Sequence, residues 1–222
     1  MTGPLRVAIA DDSALFRSGL GLLLAAAGVE VISSSPDVTR LLAQLSDDLP
    51  DIAILDVRMP PTHTDEGLRA AVEARDRWPA LGVCLLSTYL EPSWALDLLD
   101  AVGSGVGYLL KDRVDDITAL LDALHRISQG GIALDPEVVV AMVASRRNSA
   151  ALSRLTEREL EVLGLLAEGR SNVGIAQKLV VSPRTVENHV AAIFRALGLD
   201  DTSTGNRRVQ ATLAYLVQTP RR

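Results

Sequence analysis

Asp11-Asp12, Asp56, Ser87-Thr88 and Lys111 each stand directly after a short apolar run. Carboxylates brought together repel one another strongly unless a cation sits among them. A few hard oxygen ligands with room left for water suit Mg2+. An ammonium group opposite them can pair with a phosphoryl oxygen, and a hydroxyl can bond another. The chemistry open to such a set is acceptance of a phosphoryl group by a carboxylate. Taken singly, each residue has a plainer reading. A lone Asp at a strand end is usually a turn or cap residue, Asp12-Ser13 can cap the following helix, and Lys111-Asp112 can be a solvated turn. The signal is the whole set, placed at four strand ends.

The elements that must position this set are legible in residues 5–130. Apolar runs at 5–10, 29–33, 52–55, 83–86 and 106–110 read as strands. Helical periodicity fills 14–27, 38–45, 66–77, 93–102 and 117–128. Strands apolar throughout are buried on both faces, as in a parallel sheet covered by helices. Five such units predict a doubly wound α/β domain with a five-stranded parallel sheet, whose sites form beyond the carboxyl ends of its strands. Gly130-Gly131 ends the fifth helix, closing a first domain at 1–130. Residues 131–151 read as a linker: Asp135-Pro136 can start a short helix through Val143, and Arg146 to Ala151 reads as exposed.

Residues 152–222 show no strand pattern and read as a small all-α domain of four helices. Thr156 and Glu159 fit a capping box, followed by a helix burying Leu160, Leu163 and Ala167 and ending at Gly169. Ser171 can cap a second helix through Leu179. After the tight Val180-Val181 connection, Ser182-Pro183 starts a third that stops at Gly198. Two helices joined by so short a turn read as a helix-turn-helix. A fourth spans about 207–217.

The acid, hydroxyl and lysine set, with "DVRMP" and "GYLLKD", resembles the receiver domain of two-component response regulators over about residues 4–130. The resemblance implies a flavodoxin-like fold in which Asp56 accepts a phosphoryl group from a sensor histidine kinase. Asp11, Asp12, Asp56 and the backbone carbonyl of Arg58 would hold Mg2+. Ser87 would be the switch hydroxyl with Thr88 as the fallback, Tyr108 the switch aromatic, and Lys111 the phosphoryl partner. Residues 155–199 resemble the LuxR-type helix-turn-helix of NarL/FixJ-class regulators. That resemblance implies that helix 183–197 enters the DNA major groove, with Lys178, Ser182, Arg184, Thr185, Glu187, Asn188, His189 and Ala191 as the candidate contacts. Asn188 can read an adenine edge, while Arg184, Thr185 and Lys178 can hold phosphates. Glu187 departs from the basic residue common there, but can accept from a cytosine amino group. Val209, Leu213 and Leu216 fall on one stripe of the last helix, which carries dimerisation in the family; packing inside the domain is the alternative. The preceding connection, Asp200 to Arg208, is longer and more polar than usual.

Bulk properties narrow the remaining classes. The net charge of -6 hides an asymmetry: residues 152–222 hold ten Lys/Arg against seven Asp/Glu, leaving the rest of the chain strongly acidic. Two halves of opposite sign suggest two domains with different partners. The single cysteine, Cys84, lies in an apolar run and reads as a buried thiol. No stretch is apolar enough to span a membrane and the acidic start does not resemble a signal peptide, so a soluble cytoplasmic regulator, not an enzyme, is expected. A dehalogenase-type phosphoryl-transfer enzyme would carry a second acid two residues after Asp56, where Arg58 stands. No Gly-rich phosphate loop follows the first strand, which counts against a nucleotide-binding protein. A regulator of the same architecture that works by protein contacts alone is the alternative to phosphorylation control. Pro60-Pro61 reads as stiffening for the loop after Asp56. Thr62-His63-Thr64, which lengthens that loop, has no role that the sequence explains.

Overall fold

The computed structural model of the protein describes residues 3–45, 48–199 and 206–218. The chain divides into two compact units, Met1–Met142 and Val143–Arg222.

The first unit alternates strands and helices: β1 Arg6–Ala10, α1 Ala14–Ala26, β2 Glu30–Ser35, α2 Val38–Gln44, β3 Ile52–Asp56, α3 Glu66–Arg77, β4 Gly82–Ser87, α4 Pro92–Val102, β5 Val106–Leu110 and α5 Ile117–Ser128. A short 3-10 turn, Lys111–Arg113, follows β5. With a short sixth strand, β6 Ile132–Leu134, the strands pair in parallel in the order β2-β1-β3-β4-β5-β6. Every residue of β3 and β4 is buried, which explains why these strands read as unbroken apolar runs. Alternate residues face two separate cores. Ala8, Leu55, Val83 and Tyr108 pack against α2, α3 and α4, while Val7, Ile54, Cys84 and Leu86 pack against α1 and α5. Cys84 is fully buried, which pushes its thiol up to about 12 and leaves it an inert core residue.

The expectation of five strands falls one short. β6, Ile132–Leu134, extends the sheet beyond β5. Three residues directly after Gly130-Gly131 carry too little period to reveal a strand. The pairing with β5, rather than local propensity, makes it one. The linker reading of 131–151 changes with it. Asp135 is 2 % exposed, donates its N–H to the Tyr108 carbonyl at 2.9 Å and accepts from the Glu137 N–H at 2.9 Å. It thus starts α6, Pro136–Leu152, which runs from the first unit into the second, well past Val143 and through the segment expected to be an exposed linker.

The second unit contains α7 Glu157–Ala167, α8 Asn172–Leu179, α9 Pro183–Ala196 and α10 Arg207–Gln218. The expected caps form. Thr156 and Glu159 make the reciprocal capping box, and Ser171 and Ser182 accept from the N–H groups of Gly174 and Thr185, both at 3.1 Å. On α7 the core is built by Val162, Leu163, Leu165 and Leu166, whereas Leu160 and Ala167 are only half-buried. The turn between α8 and α9 places Val180 in the left-handed region, at φ 55°, a strained position for a β-branched residue. Residues 200–205 of the polar connection lie outside the described residues. No helix among the described residues is long and apolar enough to cross a membrane.

Candidate functional site

The ends of β1, β3 and β5 bring the acid set together. Lys111 places its Nζ 2.7 Å from Asp11 and 2.9 Å from Asp56. Asp11 and Asp56 are buried and Asp12 is exposed; ligand oxygens of all three lie within 4.8 Å of one another. Asp12 has no capping duty to perform, because Ser13 caps α1 by accepting the Phe16 N–H at 3.3 Å. Burial raises the Asp56 carboxyl above its ordinary value, and the bond from Lys111 recovers part of that shift. Burial works against the Lys111 ammonium too, but its bonds to Asp11 and Asp56 outweigh it and leave its pKa raised. Three carboxylates and one ammonium still hold an excess of negative charge in one small pocket. A divalent cation would neutralise it, so the donor set fits Mg2+.

Ser87 and Tyr108 meet on one acceptor. Ser87 donates to the Tyr89 carbonyl at 2.9 Å and Tyr108 to the same carbonyl at 3.2 Å. Both residues are buried, while Thr88 is exposed. Burial raises the Tyr108 phenol, so it stays a neutral donor. The Arg58 guanidinium lies 4.3 Å from the Tyr89 ring and 5.0 Å from the Trp94 ring. One residue therefore joins the loop after β3 to the loop after β4 and to α4. The sequence reading used only its backbone carbonyl.

The loop after β3 is the part that sequence reasoning left unexplained. Its Pro60–Pro61 peptide bond is cis. Glu66, in the first turn of α3, is 6 % exposed and accepts from the Thr62 N–H at 3.0 Å, the Thr62 hydroxyl and the Thr64 N–H at 2.8 Å. The Thr62 to Glu66 spacing was the available signal, masked by reading Glu66 as an ordinary helix start. Burial alone would raise the Glu66 carboxyl, but these donors outweigh it and hold it at about 2. A carboxyl depressed in the fold contributes stability above its unfolded value of 4.5, and that contribution is lost as pH falls toward about 2. Glu66→Ala is therefore expected to cost about 2–3 kcal/mol at pH 7. Urea unfolding should show this difference fading below pH 4.5, and a difference independent of pH would contradict it.

On α9, Arg184, Glu187, Asn188 and Ala191 are exposed along one face, opposite the buried Val186, Val190 and Ile193. Lys178 and Ser182 are also exposed; Thr185 and His189 are half-buried. The Ser182 and Thr185 hydroxyls lie 2.8 Å apart in the cap of α9. Val209, Leu213 and Leu216 are all more than half exposed, while Ala211 and Ala214 face the core. Packing inside the domain is thus done by the alanines and the half-buried Tyr215, and the apolar stripe of Val209, Leu213 and Leu216 faces outward.

Comparison with known proteins matches residues 7–127 to the response regulator receiver domain, and residues 153–204 to the bacterial regulatory proteins of the luxR family. The probable transcriptional regulatory protein NarL of Mycobacterium tuberculosis (strain ATCC 25618 / H37Rv) is 34% identical over 201 residues, covering 88% of this chain and 89% of the relative. The DNA-binding transcriptional activator DevR/DosR of the same organism is 32% identical, covering 94% of this chain and 92% of its own. Among solved structures, the RcsB response regulator of Salmonella typhimurium superposes with a TM-score of 0.61 at 26% identity, covering 97% of this chain and 99% of that one. An RcsB–DNA complex matches with a TM-score of 0.62 at 25% identity, covering 96% and 98%.

Proposed function

Since this chain belongs to the two-component response regulators of the NarL/FixJ class, a receiver domain followed by a DNA-binding domain of the luxR family, we propose that Asp56 is its phosphoacceptor and that phosphorylation controls its binding to DNA. The observation that carries this reading is the Lys111 ammonium held between Asp11 and Asp56 at 2.7 and 2.9 Å. A phosphohistidine on a sensor kinase donates the group. Asp11, Asp12, Asp56 and the Arg58 carbonyl would hold Mg2+, which when bound would neutralise the charge that develops on the transferring phosphoryl group. Lys111 pairs with a phosphoryl oxygen. Ser87 leaves the Tyr89 carbonyl for another oxygen, and Tyr108, bonded to that same carbonyl, is freed to repack.

The output is transcriptional. α9 lies in the major groove with the Arg184, Glu187, Asn188 and Ala191 face toward base edges. Lys178, Ser182, Thr185 and His189 contact the backbone. The modest positive charge of the second half favours a dimer, which doubles the phosphate contacts, and the exposed stripe of Val209, Leu213 and Leu216 suits that contact. We place the domain boundary near residue 142 and propose a cytoplasmic location for the protein. The test is to treat the protein with a small-molecule phosphodonor and Mg2+ and weigh it. A gain of roughly 80 Da is expected in the wild type and not in Asp56→Asn. No gain, or a gain that persists in Asp56→Asn, would falsify the assignment.

A further inference from the structure

Asp135 is a buried carboxylate that the phosphorylation chemistry does not use. Its Oδ2 lies 3.4 Å from Arg113 Nε, and Arg113 Nη2 also bonds Glu137 Oε1 at 2.5 Å. Arg113 stands two residues after Lys111, at the end of the same 3-10 turn. Asp135 and Glu137 lie at the start of α6, the helix that runs from the first unit into the second. We propose that Arg113 is a positioning residue that couples the phosphorylation site to α6, so that its loss leaves phosphoryl acceptance intact but disconnects it from DNA binding. The inference rests on the reading of Asp56 as the phosphoacceptor and of DNA binding as the controlled output.

Two separate connections join the switch residues to Asp135. The first is ionic. Lys111 is held by Asp11 and Asp56, and a phosphoryl group on Asp56 would take over the second of these contacts. The turn that carries Lys111 is closed by the Val114 N–H on the Lys111 carbonyl and by the Asp116 N–H on the Arg113 carbonyl, both at 3.2 Å. A turn so held moves as a piece, so a shift of Lys111 reaches the Arg113 guanidinium. The second connection is through the backbone. The Asp135 N–H bonds the Tyr108 carbonyl at 2.9 Å, and the Tyr108 hydroxyl shares the Tyr89 carbonyl with Ser87. Both connections meet at Asp135.

Burial gives the Arg113 contact its weight. The contact with Glu137 joins two exposed side chains and adds little by itself. The Asp135 side chain is 1% exposed, and its Oδ1 is already engaged by the Glu137 N–H at 2.9 Å. Withdrawing the opposing charge would leave a buried carboxylate uncompensated. A displacement of Arg113 is therefore best met by the first turn of α6 following it. α6 is one continuous helix from Pro136 to Leu152, and a rigid element carries a change at its start along its length.

The experiment uses the full-length protein, a small-molecule phosphodonor with Mg2+, and a DNA fragment selected from random sequence by the phosphorylated wild type. Mass reports phosphoryl uptake, and fluorescence anisotropy at fixed salt reports DNA affinity. Arg113→Met removes the charge and keeps the aliphatic stem. Arg113→Met/Asp135→Asn also removes the buried charge, while the asparagine oxygen can still accept from the Glu137 N–H and keep the start of α6. Phosphorylation is expected to change the wild-type affinity by about fivefold or more, as for coupled sites in general. The affinity of either variant should change by less than about twofold, while all three proteins gain roughly 80 Da. A double variant that responds like the wild type would overturn the role of Arg113 and leave the phosphorylation reading standing. A folded double variant that takes up no phosphoryl group counts equally against it, because Arg113 would then act at the site itself. A wild type that gains no mass, or whose DNA affinity ignores the gain, would remove the reading beneath the proposal.

Discussion

At neutral pH and without divalent metal, Asp56→Asn is expected to resist urea better than the wild type, although it cannot take up a phosphoryl group. Burial raises the Asp56 carboxyl above its unfolded value of 3.8, so the fold favours its protonated form. Such a group contributes stability that is fully present below 3.8 and lost as pH rises through the folded value. Asparagine never ionises and keeps the contribution at every pH. Lys111 offsets part of the cost in the wild type, and it retains Asp11 as a partner in the variant. The difference between the two proteins should therefore shrink toward pH 3. It should also shrink when Mg2+ binds and stabilises the wild type. A variant less stable than the wild type at pH 7 would show that the Lys111 pair outweighs the burial of Asp56. The opposite result would mark the phosphoacceptor as a position where stability is given up for chemistry.

Gly67→Ala is expected to lose both fold stability and phosphoryl acceptance. A Cβ on Gly67 would stand 1.8 Å from the Asp56 carbonyl oxygen, 2.8 Å from its carbon and 3.0 Å from the Val57 Cα. All three are backbone atoms at the end of a central strand, so no side chain can rotate away. The Gly67 N–H also bonds the Val57 carbonyl at 2.9 Å, holding α3 against β3. Relieving the clash requires α3 and the end of β3 to part by about 1 Å, at a cost of roughly 3 kcal/mol or more. A displacement of that size at the reacting carboxylate can slow phosphorylation by about 100-fold. Urea unfolding and the rate of the mass gain measure the two effects. Gly19→Ala is the control: it lies in α1 with nothing within 4 Å of its added carbon, and is expected to be neutral or slightly stabilising. A stability change of less than 0.5 kcal/mol in Gly67→Ala would show that the helix yields freely.

Much of this protein is legible before any coordinates. The five short apolar runs, the serine and threonine caps, and the acids at strand ends are signals carried by a residue and its near neighbours. They determined the α/β receiver, the helix-turn-helix after it, and the set Asp11, Asp12, Asp56, Ser87 and Lys111. Tertiary structure decided what depends on groups meeting through space. β6 exists because β5 offers it an edge, and α6 starts where Asp135 reaches Tyr108. The stripe of Val209, Leu213 and Leu216 faces outward because Ala211 and Ala214 face inward. Gly67 must be glycine because the Asp56 carbonyl lies where its side chain would go. Thr62-His63-Thr64 stays unexplained in the sequence, since hydrophobic periodicity describes helices and strands and a loop has none. Only the fold, by burying Glu66 beneath the loop and setting His63 beside Asp12, brings that loop to the edge of the site.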